Sequence, residues 1–174
     1  MNDEELSRED ISQLLRSFTC PKNQDVELFL HSKAVEFEVR DTARTYLMLD
    51  DIGQIIAYFS LSFKEIELID RGLSLTAIKK LDGFDKRAER VKAYLIGQIG
   101  KNLAIDDNPV DLETILNEVY SVIDEARALV GGRVIILECE DVVRLIQHYE
   151  RHGFKKIPTH DPVKGLVTMY TVVE

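Results

Sequence analysis

The spacing of apolar residues changes several times along the chain, and each change marks an element. Val134 to Leu137 is a continuous apolar run rich in β-branched residues, the pattern of a strand covered on both faces. Acidic residues Glu138 to Asp141 follow and read as a turn. Val142, Leu145, Ile146 and Tyr149 then fall on one face of a short helix, with Asp141 placed to cap it. Gly153 can adopt the left-handed conformation that ends this helix, and Phe154 returns the chain to the core. Upstream, Leu112, Ile115, Leu116, Val119, Ile123, Ala126 and Val130 keep helical spacing from a cap at Asp111 to Gly131-Gly132, which predicts the longest helix.

The remaining elements follow in order. Ser7 and Asp10 predict a short capped helix, broken by Cys20-Pro21, and a longer helix is expected from Asp25 to Arg40. Arg44 to Leu49 reads as a strand, Asp50 to Gly53 as a hairpin turn, and Gln54 to about Leu68 as a long second strand or strand pair. Ser74 caps a helix through Leu81 that ends at Asp82-Gly83. Lys92 to Gly100 is an apolar strand, and Asn102 to Val110 a polar loop. Pro158 to Gly165 is a loop and Leu166 to Val173 a final strand. This mixed order predicts an α/β (α+β) fold, a mostly antiparallel central sheet flanked by helices, in one domain spanning residues 1–174.

Composition narrows the function classes. Two cysteines, Cys20 and Cys139, give no disulfide framework and fit a reducing cytoplasm. The N-terminus carries Asp3, Glu4 and Glu5, unlike a signal peptide, and no apolar run reaches the length of a membrane span. A net charge of −9 disfavours general nucleic-acid binding, tRNA included. One stretch departs from that balance: Arg71, Lys79, Lys80, Lys86, Arg87, Arg90 and Lys92 stand against only Asp82, Asp85 and Glu89. It reads as a solvated face or as a basic patch for a phosphate-bearing ligand.

A strand, a short helix and then His148-Tyr149-Glu150-Arg151-His152-Gly153-Phe154 resembles the last conserved segment of the GNAT (GCN5-related) acyl-coenzyme A N-acyltransferases. The order of elements matches that family from end to end. Phe18-x-Cys20, Phe29-Leu30, Thr45-Tyr46-Leu47, Ile56 to Leu61 and Ala93 to Ile99 resemble the branch that includes toxins of toxin–antitoxin pairs.

The resemblance implies transfer of an acetyl group from acetyl-CoA to a primary amine, with no metal. It places Tyr149 as the acid that protonates the departing thiolate, and the backbone of Ile99, Gly100 and Lys101 at the thioester carbonyl and pantetheine arm. Glu138, ending its strand beside that site, is the candidate base. The expected glycine-rich phosphate loop is missing. After Gly100 the chain reads Lys101-Asn102-Leu103-Ala104-Ile105-Asp106-Asp107-Asn108-Pro109, leaving Lys101 and Asn102 to compensate. The toxin branch implies aminoacyl-tRNA as acceptor and an antitoxin as partner, and a homodimer is compatible with it. A GNAT-shaped binding protein without turnover is the third reading.

Weaker constellations have blander explanations. His148 and His152 lie one helical turn apart, a zinc-compatible spacing more often found on a solvated face. His31 and His160 stand alone, and Cys139 reads as a small core residue.

Overall fold

Helix caps and apolar spacing produce most of the elements where the sequence places them. The structure, a computed structural model, describes residues 7–68, 73–159 and 165–173. Arg71, His160 and the acidic residues at positions 3–5 lie outside the described residues, as does most of the loop preceding Gly165. In order, the elements are α1 (Arg8–Arg16), α2 (Gln24–Ser32), α3 (Ala34–Val39), β1 (Arg44–Leu49), β2 (Ile55–Glu67), α4 (Leu75–Asp82) and β3 (Arg90–Lys101). They continue with α5 (Leu112–Val130), β4 (Val134–Glu140), α6 (Val143–Arg151), β5 (Lys155–Lys156) and β6 (Leu166–Val172). Among the described residues the strand order is β1-β2-β3-β4-β6-β5, with β3 and β4 parallel and the other described pairings antiparallel. This is the mixed, mostly antiparallel sheet with helices that the resemblance predicts. The chain groups into two compact units.

The first unit comprises Met1–Leu61 and Gln98–Val119. A capping box starts α1, where Asp10 N–H donates to Ser7 Oγ at 3.1 Å and Ser7 N–H to Asp10 Oδ2 at 3.1 Å. The single helix expected from Asp25 to Arg40 is two helices broken at Lys33. Ser32 Oγ donates to the Leu28 carbonyl at 2.6 Å, a back-bonding that bends helices, and α3 carries the weak helix formers Val35 and Val39. Phe18, Leu30, Ile55 and Tyr58 are fully buried at the core of this unit. The Tyr58 hydroxyl reaches the Val26 carbonyl at 2.5 Å, and burial pushes its pKa up.

Gly100 belongs to the same core. A Cβ built on it would stand 2.5 Å from Val26 Cγ1 and 3.1 Å from Phe18 Cζ. The residue is therefore glycine because α2 approaches the strand too closely for a side chain. β1 and β2 form the expected hairpin, from Arg44↔Leu61 to Met48↔Ala57. In its turn, Asp50 Oδ1 accepts from Ile52 N–H at 3.0 Å and Gln54 N–H at 2.8 Å.

The second unit comprises Ser62–Gly97 and Tyr120–Glu174. Val134, Ile135 and Ile136 of β4 are fully buried, as a strand flanked by two others and covered on both faces requires. β4 is longer than its apolar run predicts. Glu138, Cys139 and Glu140, expected in a turn, pair with Thr168, Val167 and Leu166 of β6. The turn then shrinks to Asp141 and Val142, and α6 starts at Val143 with no side-chain cap. Asp141 is not that cap, because its Oδ1 accepts from Lys156 Nζ at 3.0 Å. Gly153, at φ 86°, ends α6 as expected, and Phe154 enters the core.

Candidate active site

In the second unit, β3 and β4 pair in parallel from Ala93↔Val134 to Ile96↔Leu137, and the register ends there. β4 continues to Glu140 on its pairing with β6, while β3 continues to Lys101. α6 follows β4 and buries Ile146 and Tyr149. The Tyr149 ring meets Phe154 edge-on at 6.0 Å between centroids and is 8% exposed. Its hydroxyl makes no hydrogen bond to the described residues. Burial, followed by the neighbouring Cys139 thiol, pushes its pKa up to about 12. The phenol thus holds its proton at neutral pH and has a donor to offer.

Glu138 occupies the first position of β4 beyond the parallel pairing, and its side chain is largely buried. Its Oε1 lies 2.5 Å from Lys64 Nζ on β2. The pair faces a cavity of about 240 Å³ that Glu65, Glu67, Arg90 and Thr168 also line. Arg90 spans Glu65 and Glu67 at 3.3 and 2.5 Å, so this cation of the basic stretch already has carboxylate partners. The candidate base therefore rests with Oε1 on the Lys64 ammonium. Lys64 was not legible as a site residue. Its only sequence signal is a polar position within the long β2 strand.

Cys139 is buried, and burial raises its thiol pKa, the environment of an inert core cysteine. His148 and His152 have ring centroids 5.4 Å apart. Partial burial first, then His152, Arg151 and Arg144, lowers the pKa of His148. Among the described residues no group of three or more His, Cys, Asp or Glu stands close enough to hold a metal ion. His31 is less isolated than its sequence position implies, since its Nε2 bonds the Phe18 carbonyl at 2.8 Å.

In the first unit lies the segment after Gly97, with the other residues the sequence singles out. Ile99 is half-buried, and Gly100 faces the core described above. Lys101 turns its ammonium back to the Asn108 carbonyl at 2.5 Å. Asn102 is 2% exposed and saturated by the protein itself. Its Oδ1 accepts from Thr19 and Ala104 N–H, both at 3.0 Å, and its Nδ2 donates to the Ile55 carbonyl at 2.7 Å and the Ser17 carbonyl at 3.3 Å. Asn108 is also buried, donating to the Ile56 and Asn102 carbonyls. Asn102 is expected from the sequence to help with phosphate, and nothing in the sequence marks either asparagine as buried.

No family profile matches the sequence, and no curated protein matches it. Solved structures do resemble the fold. AtaT complexed with acetyl-methionyl-tRNAfMet superposes with a TM-score of 0.65 at 18% identity, covering 88% of this chain and 85% of that one. A tyrosine-to-phenylalanine mutant of KacT gives 0.66 at 18% identity, covering 91% and 86%. A mutant AtaT toxin bound to the C-terminus of the antitoxin AtaR and acetyl-CoA gives 0.63 at 14% identity, covering 91% and 84%. At these identities the likeness establishes the fold.

Proposed function

We propose that this chain is an N-acetyltransferase that moves an acetyl group from acetyl-CoA to a primary amine. The observation that carries this reading is Tyr149: a buried phenol, protonated at neutral pH and without a partner among the described residues, on the helix that follows β4. In the reaction the amine nitrogen forms a bond to the acetyl carbon while the carbon–sulfur bond breaks. The resemblance assigns backbone groups of Ile99, Gly100 and Lys101 to the thioester carbonyl and the pantetheine arm. The amine proton leaves to Glu138, once freed from Lys64, or to water. Tyr149 offers its proton to the departing thiolate. The free cysteines support a reducing compartment, the cytoplasm, for this chemistry. Acetyl-CoA is expected to raise the melting temperature, because a ligand specific to the native state must stabilise it. No shift and no heat of binding at millimolar acetyl-CoA would remove this reading and leave a GNAT-shaped protein without turnover.

A second reading specifies the acceptor as the amine of an aminoacyl-tRNA, with an antitoxin as partner. AtaT in complex with acetyl-methionyl-tRNAfMet and bound to AtaR supports it. The net charge of −9 opposes it. With Arg90 engaged by two glutamates, the exposed Lys79, Lys86, Arg87 and Lys92 are left to supply the phosphate contacts. Under this reading tRNA binding weakens steeply as salt rises, and reversing Lys86 and Arg87 together weakens it further. Salt-insensitive acetylation of free polyamines or peptides, with tRNA untouched, rejects it.

A further inference from the structure

A passage from strand to loop to helix holds a phosphate with open main-chain N–H groups, the positive end of the helix and often a cation. The passage from β3 to α5 has the right order of elements but ties four of its loop N–H groups to the protein itself. Asn102 N–H donates to the Ile56 carbonyl at 2.9 Å and Leu103 N–H to the Thr19 carbonyl at 2.8 Å. Ala104 N–H goes to Asn102 Oδ1 at 3.0 Å and Val110 N–H to Asn108 Oδ1 at 3.1 Å. Position 109 is proline and has no donor. At the helix start, Asp111 Oδ1 accepts from Thr114 N–H at 2.8 Å, so a carboxylate already occupies the place an anion would take. Lys101, the cation that adjoins the loop in sequence, is turned onto the Asn108 carbonyl. Asp106 and Asp107 are exposed on the loop and repel further negative charge.

We infer that the β3–α5 loop is not a pyrophosphate site and that the chain recognises its acyl donor by the thioester and pantetheine arm, with the nucleotide end contributing little. The inference rests on the acetyltransferase reading for its donor, but the loop's own bonding stands independently of turnover. The two buried asparagines tie the loop to Thr19, Ile55 and Ile56 and hold its shape without a ligand. The donor class widens accordingly to thioesters of pantetheine, whether or not a nucleotide is attached.

Three probes on the full chain test this: acetyl-CoA, S-acetylpantetheine and adenosine 3′,5′-bisphosphate. The two thioesters are expected to show kcat/KM values and binding constants within about threefold of each other. The bisphosphate, at millimolar concentration, is expected neither to compete with acetyl-CoA nor to shift the melting temperature. A preference of about 100-fold or more for acetyl-CoA, the worth of two charge-assisted hydrogen bonds, overturns the inference. Competition by the bisphosphate overturns it as well. If both thioesters bind equally and neither is turned over, the donor inference stands and the transferase reading falls. If neither binds, both fall.

Discussion

Tyr149→Phe is expected to lower turnover by roughly 10²–10⁴-fold while leaving the fold in place, the range for losing a general acid. Phenylalanine keeps the ring, its packing against Phe154 and the buried face of α6. Acetyl-CoA affinity changes little, since the hydroxyl acts as thiolate charge develops rather than on the bound thioester. Tyr149→Ala supplies the contrast: it also removes a buried ring and costs about 3–5 kcal/mol of stability. A pH readout separates the phenol from the ring. Its pKa is raised from an ordinary 10 to about 12, so the folded state favours the protonated form. The resulting stability is complete below about pH 10 and disappears as pH rises through 12. The Phe variant lacks this alkaline loss. Wild-type turnover by the Phe variant, with chemistry rate-limiting, makes Tyr149 a packing residue only.

Asn102→Leu is expected to cost about 3–5 kcal/mol, because it strands several buried partners at once. Thr19 and Ala104 N–H groups lose their acceptor, and the Ile55 and Ser17 carbonyls lose a donor. Leucine fills the volume, so the loss reports unsatisfied polar groups rather than a cavity. Asn102→Asp is a graded version that keeps both accepted bonds but turns a carboxylate toward two carbonyl oxygens. Its stability recovers as pH falls and the acid protonates, since a carboxyl can again donate to Ile55. Urea midpoints across pH 4–8 measure both variants. An Asn102→Leu midpoint equal to wild type rules out this network as the support of the loop.

The parts of the fold written in local pattern were legible. The capping box at Ser7, the Asp50–Gly53 hairpin turn, the Ser74 cap and the apolar spacing of α5 all specify structure within a few residues. The break at Lys33 was not, because the apolar face continues across it while a Ser32 back-bond bends the helix. The end of β4 was misplaced for a related reason. Glu138 to Glu140 resemble a turn by composition, and only pairing with β6, distant in sequence, makes them strand. β5 is two residues long and shows no periodicity at all. In the candidate site, Tyr149 was visible through the segment around it. Asn102 was expected to help with phosphate, whereas its side-chain bond to Thr19 reaches back 83 residues. No spacing rule marks a loop asparagine as buried.

Transfer of isotopically labelled acetyl from acetyl-CoA to a defined set of acceptors tests the proposal most directly. Polyamines, peptide N-termini, lysine side chains and aminoacyl-tRNA would be presented separately and the products read by mass spectrometry. The expected result is label on the amine nitrogen of at least one acceptor, stoichiometric with released thiol and greatly reduced by Tyr149→Phe. Thiol release at the uncatalysed rate with every acceptor, from a protein saturated with acetyl-CoA, would contradict it.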